Sequence, residues 1–93
     1  PTFKLNISGH TDSSGNPVLN LKLSQQRADA IKRYIVNEGN IRANRIFAIG
    51  YGSEKPIVKE EKTDEDRKLN RRVEFEIYRD PPKEDLSSTG NQK

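Results

Sequence analysis

Residues 1–17 read PTFKLNISGHTDSSGNP and residues 18–40 read VLNLKLSQQRADAIKRYIVNEGN. In the first stretch Phe3, Leu5 and Ile7 alternate with Lys4, Asn6 and Ser8, the period-two pattern of a strand with one buried face, so a strand is expected over residues 1–8. The cluster from Gly9 to Pro17 is made of turn formers and reads as a loop. From Leu21 to Glu38 the apolar residues recur at helical spacing, and Gly39-Asn40 supplies a left-handed stop. Arg45 to Tyr51 (RIFAIGY) reads as a second strand. Strand, helix and strand with short links form a βαβ unit, which places the two strands parallel.

Working outward, Lys59 to Arg72 is polar and charge-dense, with a short helix predicted over Asp64 to Leu69 and Thr63 or Asp64 as its N-cap. Arg72 to Arg79 (RVEFEIYR) alternates Val73, Phe75 and Ile77 with Glu74, Glu76 and Tyr78. That pattern predicts a third strand with one face on the core and the other in water. Asp80 to Lys93 contains Pro81-Pro82 and a single large apolar residue, Leu86, and reads as a disordered tail. The expected organisation is one α/β domain over residues 1–79, an α+β sandwich with a mixed sheet, followed by a tail over residues 80–93.

Of the 93 residues, 30% are hydrophobic and 33% charged, against the ~45–50% apolar content usual for a globular domain. Three strands and one long helix are a thin core. The shortage predicts a further strand and helix ahead of Pro1. The sheet edge and helix face left open without them predict self-association into a homo-oligomer. The chain contains no Cys, which excludes disulfides, thiolate metal sites and cysteine nucleophiles. With one His and no evident carboxylate cluster, neither a metal nor another cofactor is expected. No apolar run approaches the ~18 residues of a membrane span, and no secretory leader opens the chain. A net charge of +3 is too mild to imply a nucleic-acid partner.

Two residues stand out chemically. At 100° per residue, Leu23, Ala30, Ile31, Tyr34 and Ile35 form a broad apolar stripe on the long helix, and Arg27 falls inside it. A guanidinium there cannot deprotonate, so it needs a carboxylate, a ligand anion, or a path by which its head snorkels to water. Asp12 lies in the loop that feeds this helix, at the C-terminal end of a parallel strand, where open α/β sheets bind ligands. The two charges could form a structural salt bridge with each other. Alternatively, they could grip a zwitterion, Asp12 taking the ammonium and Arg27 the carboxylate. Charge logic leaves both readings open.

The same residues carry a resemblance. Gly9-His10-Thr11-Asp12-x-x-Gly15 and Asn20-x-x-Leu23-Ser24-x-x-Arg27-Ala28 resemble the signature of OmpA-like peptidoglycan-binding domains. Ile46-x-x-x-Gly50-Tyr51-Gly52 with Pro56, and Arg67-x-x-Asn70-Arg71-Arg72-Val73-Glu74, match later blocks in the same order. The match runs from Gly9 to Glu74. The family includes the C-terminal domain of OmpA, the peptidoglycan-associated lipoprotein and the stator protein MotB.

The resemblance implies a βαβαβ fold with a first strand and helix ahead of the GHTD strand. It also implies non-catalytic binding of the diaminopimelate-type residue of a peptidoglycan stem, in the periplasm of Gram-negative bacteria. The parent protein would be anchored in the outer or inner membrane. Asp12 and Arg27 fall on the family's ligand-gripping positions, which favours the zwitterion reading. Thr11 and Asn20 match positions bordering the ligand, and Ser24 and Arg71 positions close to it.

The remaining candidates have plainer readings. His10 lies beside Asp12, but no serine or cysteine accompanies it in a nucleophile pattern, so a structural role is expected. No glycine falls in a GxGxxG or GxxxxGK spacing. A hydrolase would need paired carboxylates or a metal, and neither pattern is seen. The alternative function is an adaptor binding an acidic partner or nucleic acid through the Arg67–Arg72 face. Asp64, Glu65, Asp66 and Glu74 interleave that face and it lacks stacking aromatics, both of which count against it.

Overall fold

A computed structural model describes residues 3–79. The elements run β1 (Phe3–His10), α1 (Pro17–Gly39), a 3₁₀ turn (Ala43–Arg45), β2 (Ile46–Gly52), α2 (Asp64–Asn70) and β3 (Arg72–Arg79). The three strands form one mixed sheet in the order β2-β1-β3, with β1 parallel to β2 and antiparallel to β3. The βαβ unit, the short helix and the third strand are therefore present as the sequence pattern predicts. The tail expected over Asp80 to Lys93 lies outside the described residues. Among those described, no helix is long and apolar enough to cross a membrane.

The ends of the helices follow from local chemistry. α1 begins four residues before the predicted Leu21, because Asn16 caps it. The Asn16 side chain accepts from the Val18 and Leu19 amides at 2.8 and 3.2 Å. Pro17 takes the first helical position, where its missing N–H costs nothing. At the other end Asn40 adopts the left-handed conformation, φ 55° and ψ 40°, and stops the helix. α2 opens on a capping box in which Thr63 accepts from the Asp66 amide and the Asp66 carboxylate accepts from the Thr63 amide.

α1 lies against β2 and β1, and the close fit depends on small sheet residues. A Cβ on Gly9 would fall less than 3.0 Å from the Ser24 carbonyl, and one on Gly50 less than 3.0 Å from the Gln25 backbone. With those positions bare, helix side chains reach the strand backbone. Ser24 Oγ accepts from the Gly52 amide at 2.8 Å. Gln25 accepts from the Gly50 amide at 2.8 Å and donates to the Ala48 carbonyl at 2.9 Å. Around these contacts Ile7, Ala28 and Ile46 are buried, and Leu5, Ile31, Ile35, Val36, Ala48 and Val73 pack against them.

Two expectations need correction. The buried line of α1 is Ser24 and Ala28, with Ile31 and Ile35 half-buried beside it, while Leu23, Arg27 and Tyr34 are exposed. The helix is rotated from the predicted stripe because Gly9 and Gly50 let the Ser24–Gln25 segment approach the strand backbone, which turns the Ser24 and Ala28 side of the helix inward. Likewise, β3 does not bury one face. Phe75 and Ile77 pair with Ile7 and Leu5 and share their side of the sheet, yet they are 56% and 69% exposed, because α1 sits over the other two strands.

Replacing Gly50 with Ala puts a methyl into helix backbone, and overpacking of this kind costs about 1–3 kcal/mol. We expect Gly50→Ala to lower the urea midpoint by that free energy divided by the slope, on the order of 1 M, with the slope unchanged, and a wild-type midpoint would show that the helix is not so tightly seated.

Candidate functional site

The loop between β1 and α1 begins where β1 meets the end of β2. The register between these strands shifts at Gly9/His10, so that His10 pairs with Gly52. Thr11 is buried; its amide donates to the Gly52 carbonyl at 2.9 Å and its hydroxyl to the Asp12 carbonyl at 2.9 Å. Both groups are thus spent on shaping the turn. Asp12 follows, 7% exposed.

Asp12 Oδ1 accepts from the Ser14 amide at 2.9 Å and from the Ser14 hydroxyl, an Asx-turn arrangement. Its Oδ2 accepts from Arg71 Nη1. These bonds, the Ser14 hydroxyl foremost, hold the Asp12 carboxyl below its ordinary value of 3.8 against the opposing effect of burial. Three of the roughly four acceptor positions of the carboxylate are filled, and one remains.

The ion partner of Asp12 is therefore Arg71, at the C-terminal cap of α2, and not Arg27. Arg27 is exposed and has no hydrogen-bond or ion-pair partner among the described residues. It lies on the flank of α1 opposite Gln25, the flank to which Asn20 also belongs. Asn20 donates to the Ser14 carbonyl at 2.9 Å, tying this flank to the Asp12 loop. Arg27 follows Asn20 by seven residues, two turns or about 10 Å along the axis. The Cα–Cβ bond of a helical residue tilts toward the N-terminus, so the Arg27 side chain leaves the helix on its loop-proximal side.

Of the predicted site residues, Thr11, Asp12, Asn20 and Arg71 are joined in one hydrogen-bonded assembly around the loop. Arg27 stands free beside it. Ser24 is fully buried, its Oγ donating to the Leu21 carbonyl at 2.8 Å and accepting from Gly52, so it fastens α1 to β2 and leaves no group for a ligand.

Two residues bonded to this assembly were not among the predicted site residues, although Asn70 stands in the Arg67-x-x-Asn70-Arg71 block. Asn70, without exposed surface, accepts from the Ile57 and Val58 amides and donates to the Val58 carbonyl and to Glu61. Glu61 accepts from Ser13. The Asp12-x-Ser14 spacing was a legible Asx-turn signal, whereas nothing local marks Glu61.

The three arginines on the basic face of the alternative reading are each paired with a carboxylate of the chain. Arg67 pairs with Asp64 at 2.7 Å and Arg71 with Asp12. Arg72 pairs with Glu74 at 2.6 Å and donates to the Asn70 and Lys55 carbonyls. Among the described residues, no three histidines or carboxylates group to hold a metal ion.

His10 has a structural setting on the sheet face away from α1. It is 3% exposed, neither ring nitrogen has a partner, and it stacks on Tyr51 with centroids 5.5 Å apart. Burial first, then the Arg72 and Lys55 charges, lower its pKa from 6.5, with Glu74 opposing.

Comparison with known proteins bears on this geometry. A model of the OmpA family matches residues 1–71. Outer membrane porin F of Pseudomonas aeruginosa is 42% identical over 77 residues, covering 83% of this chain and 22% of that protein. Outer membrane protein A of Bordetella avium is 49% identical over 69 residues, covering 74% of this chain and 34% of that protein. The crystal structure of the peptidoglycan-associated lipoprotein from Burkholderia pseudomallei superposes with a TM-score of 0.74 at 29% identity, covering 82% of this chain and 63% of that one. The chain thus spans about a fifth to a third of the length of these curated relatives. All three names are of envelope proteins, and none is of an enzyme.

The His10 environment has a measurable consequence. A lowered folded pKa means that the neutral ring contributes stability in full above about 6.5, and that this contribution is lost as pH falls from there to the folded value. Between about pH 8 and pH 5 the wild-type urea midpoint should fall, and His10→Phe, which keeps a flat ring over Tyr51, should fall less. Equal slopes would place the pH dependence elsewhere.

Proposed function

The chain belongs to the OmpA family, and on that premise we propose that it is a non-catalytic module that binds cell-wall peptidoglycan in the periplasm. In this reading it grips the free amino-acid end of a diaminopimelate-type residue and tethers a membrane-anchored parent protein to the wall. The carrying observation is the division of partners at the site. Asp12 is oriented by Ser14 and Arg71 with one acceptor position left, while Arg27 on the adjoining flank has all its donors uncommitted.

The chemistry follows from that division. The ligand ammonium donates to the remaining Asp12 position, and the ligand carboxylate takes two parallel N–H bonds from Arg27, a fork that Lys cannot reproduce. Asn20 retains its side-chain carbonyl as an acceptor beside the loop, its amide being engaged with Ser14. Thr11, Ser24 and Arg71 act on the shape of the site: Thr11 and Ser24 fix the loop and helix against β2, and Arg71 aims Asp12. An adaptor role through Arg67–Arg72 is disfavoured because all three arginines there are bonded within the chain.

The test is co-sedimentation with purified, protein-free peptidoglycan sacculi, with folding checked by circular dichroism. Loss of a charge-assisted bond of about 1.5–3 kcal/mol corresponds to a roughly tenfold or greater weakening, expected for Asp12→Ala and for Arg27→Ala. Arg27→Lys should fall between Arg27→Ala and wild type. Folded Asp12→Ala and Arg27→Ala variants that sediment as wild type does would contradict the reading.

A further inference from the structure

We propose that Glu61 is a positioning residue of this site, clamping Ser13 so that the Asp12 carboxylate is presented in its binding orientation; this rests on the reading that Asp12 and Arg27 hold the ligand. The loop has reason to need a clamp. Ser13, Ser14, Gly15 and Asn16 are all exposed, and Gly15 has φ +82°. A small, polar, glycine-containing stretch at the surface has little packing to hold it.

Glu61 supplies what packing does not. Its Oε1 accepts from the Ser13 amide at 3.2 Å and the Ser13 hydroxyl at 2.5 Å. Its Oε2 accepts from the same amide at 3.1 Å and from Asn70 Nδ2 at 2.5 Å. With about four acceptor positions occupied, the carboxylate has none left for a ligand, so its effect passes through Ser13.

Glu61 is itself held by a rigid post. Asn70 is wholly buried, and its Oδ1 accepts from the Ile57 and Val58 amides at 2.8 and 2.9 Å. The carboxamide cannot flip without stranding those amides, so Nδ2 is fixed toward Glu61. The next residue, Arg71, bonds Asp12. Consecutive residues at the end of α2 therefore fix the loop twice, Arg71 directly at Asp12 and Asn70 through Glu61 at Ser13. The hydrogen bonds from Ser13 and Asn70 hold the Glu61 carboxyl below its ordinary value, against the opposing effects of desolvation and of the Asp12 charge.

The experiment compares Glu61→Ala, Glu61→Gln and Asp12→Ala in the full 93-residue chain, measuring affinity for protein-free sacculi and amide hydrogen exchange. Glu61→Ala should bind about threefold to tenfold more weakly, with exchange accelerated at the Ser13 amide and unchanged in β1 and α1. Glu61→Gln should stay within about twofold of wild type, since its oxygen can accept from Ser13 and Asn70 while its amide donates to the Ser13 hydroxyl.

Wild-type affinity in Glu61→Ala overturns the proposal. So does a Glu61→Gln variant as weak as Glu61→Ala, which would make the negative charge the active feature. Protection lost throughout β1 and α1 in Glu61→Ala would reduce its role to general stability and also overturn it. Asp12→Ala separates the two levels. If it is weak while Glu61→Ala is unchanged, only the Glu61 role fails; if it binds normally, the Asp12 grip fails and this proposal with it.

Discussion

The structure depends on how closely α1 approaches the sheet. At Gly9 and Gly50 a single added carbon would overlap helix backbone, so the helix has one seat, over β1 and β2. Ser24 and Gln25 then bond strand backbone directly, which fixes the helix rotation as well as its height. Everything at the site inherits that rotation. The start of α1 is set at Asn16, the loop from Thr11 is held to a few residues, and Arg27 is turned to the open flank beside it. The thinness of the core, with Ile7, Ala28 and Ile46 at its centre, is the other side of the same choice. Small residues permit close approach and bury little apolar surface.

The electrostatics of the site assign roles among several charges. The Asp12–Arg71 pair is asymmetric, with side chains 9% and 39% exposed. A partly exposed pair of this kind contributes on the order of 1 kcal/mol or less to stability, so its consequence is orientation. Arg71 and Ser14 together hold the Asp12 carboxylate ionised and aimed. Arg27 differs from every arginine of the Arg67–Arg72 segment. Those three are each bonded to a carboxylate of the same chain, while Arg27 is not. A site with one directed anion and one uncommitted cation suits a ligand that carries both charges.

The alternating residues of β1 and β3, the helical spacing of α1 and the turn formers between them made the element order legible in the sequence. Asp12 was legible as a charge in the loop at the end of a parallel strand, whereas Arg27 was singled out on an apolar stripe that the helix does not bury. The helix rotation was not legible, because Leu23 and Tyr34 offer far more apolar side-chain area than Ser24 and Ala28, and the glycines of the opposing strands reverse that order. The exposure of β3 was not, because Val73, Phe75 and Ile77 have the pattern of a buried face whether or not a helix covers them. The pairing of Asp12 with Arg71, and the link from Ser13 through Glu61 to Asn70, join residues distant in sequence. No local pattern encodes them, and they appear only when the loop after β2 folds back against the loop after β1.

The central claim is that Asp12 and Arg27 hold opposite ends of one zwitterion. The most direct measurement is titration of the ¹⁵N-labelled chain with free diaminopimelic acid, following backbone amides and arginine Nε–H resonances by NMR. The account predicts that the Arg27 Nε–H and the amides from Asp12 to Gly15 shift along one saturation curve, while Tyr78 and Arg79 on β3 do not move. Saturation with the Arg27 resonance unmoved, or with shifts confined to the Arg67–Arg72 face, would contradict it.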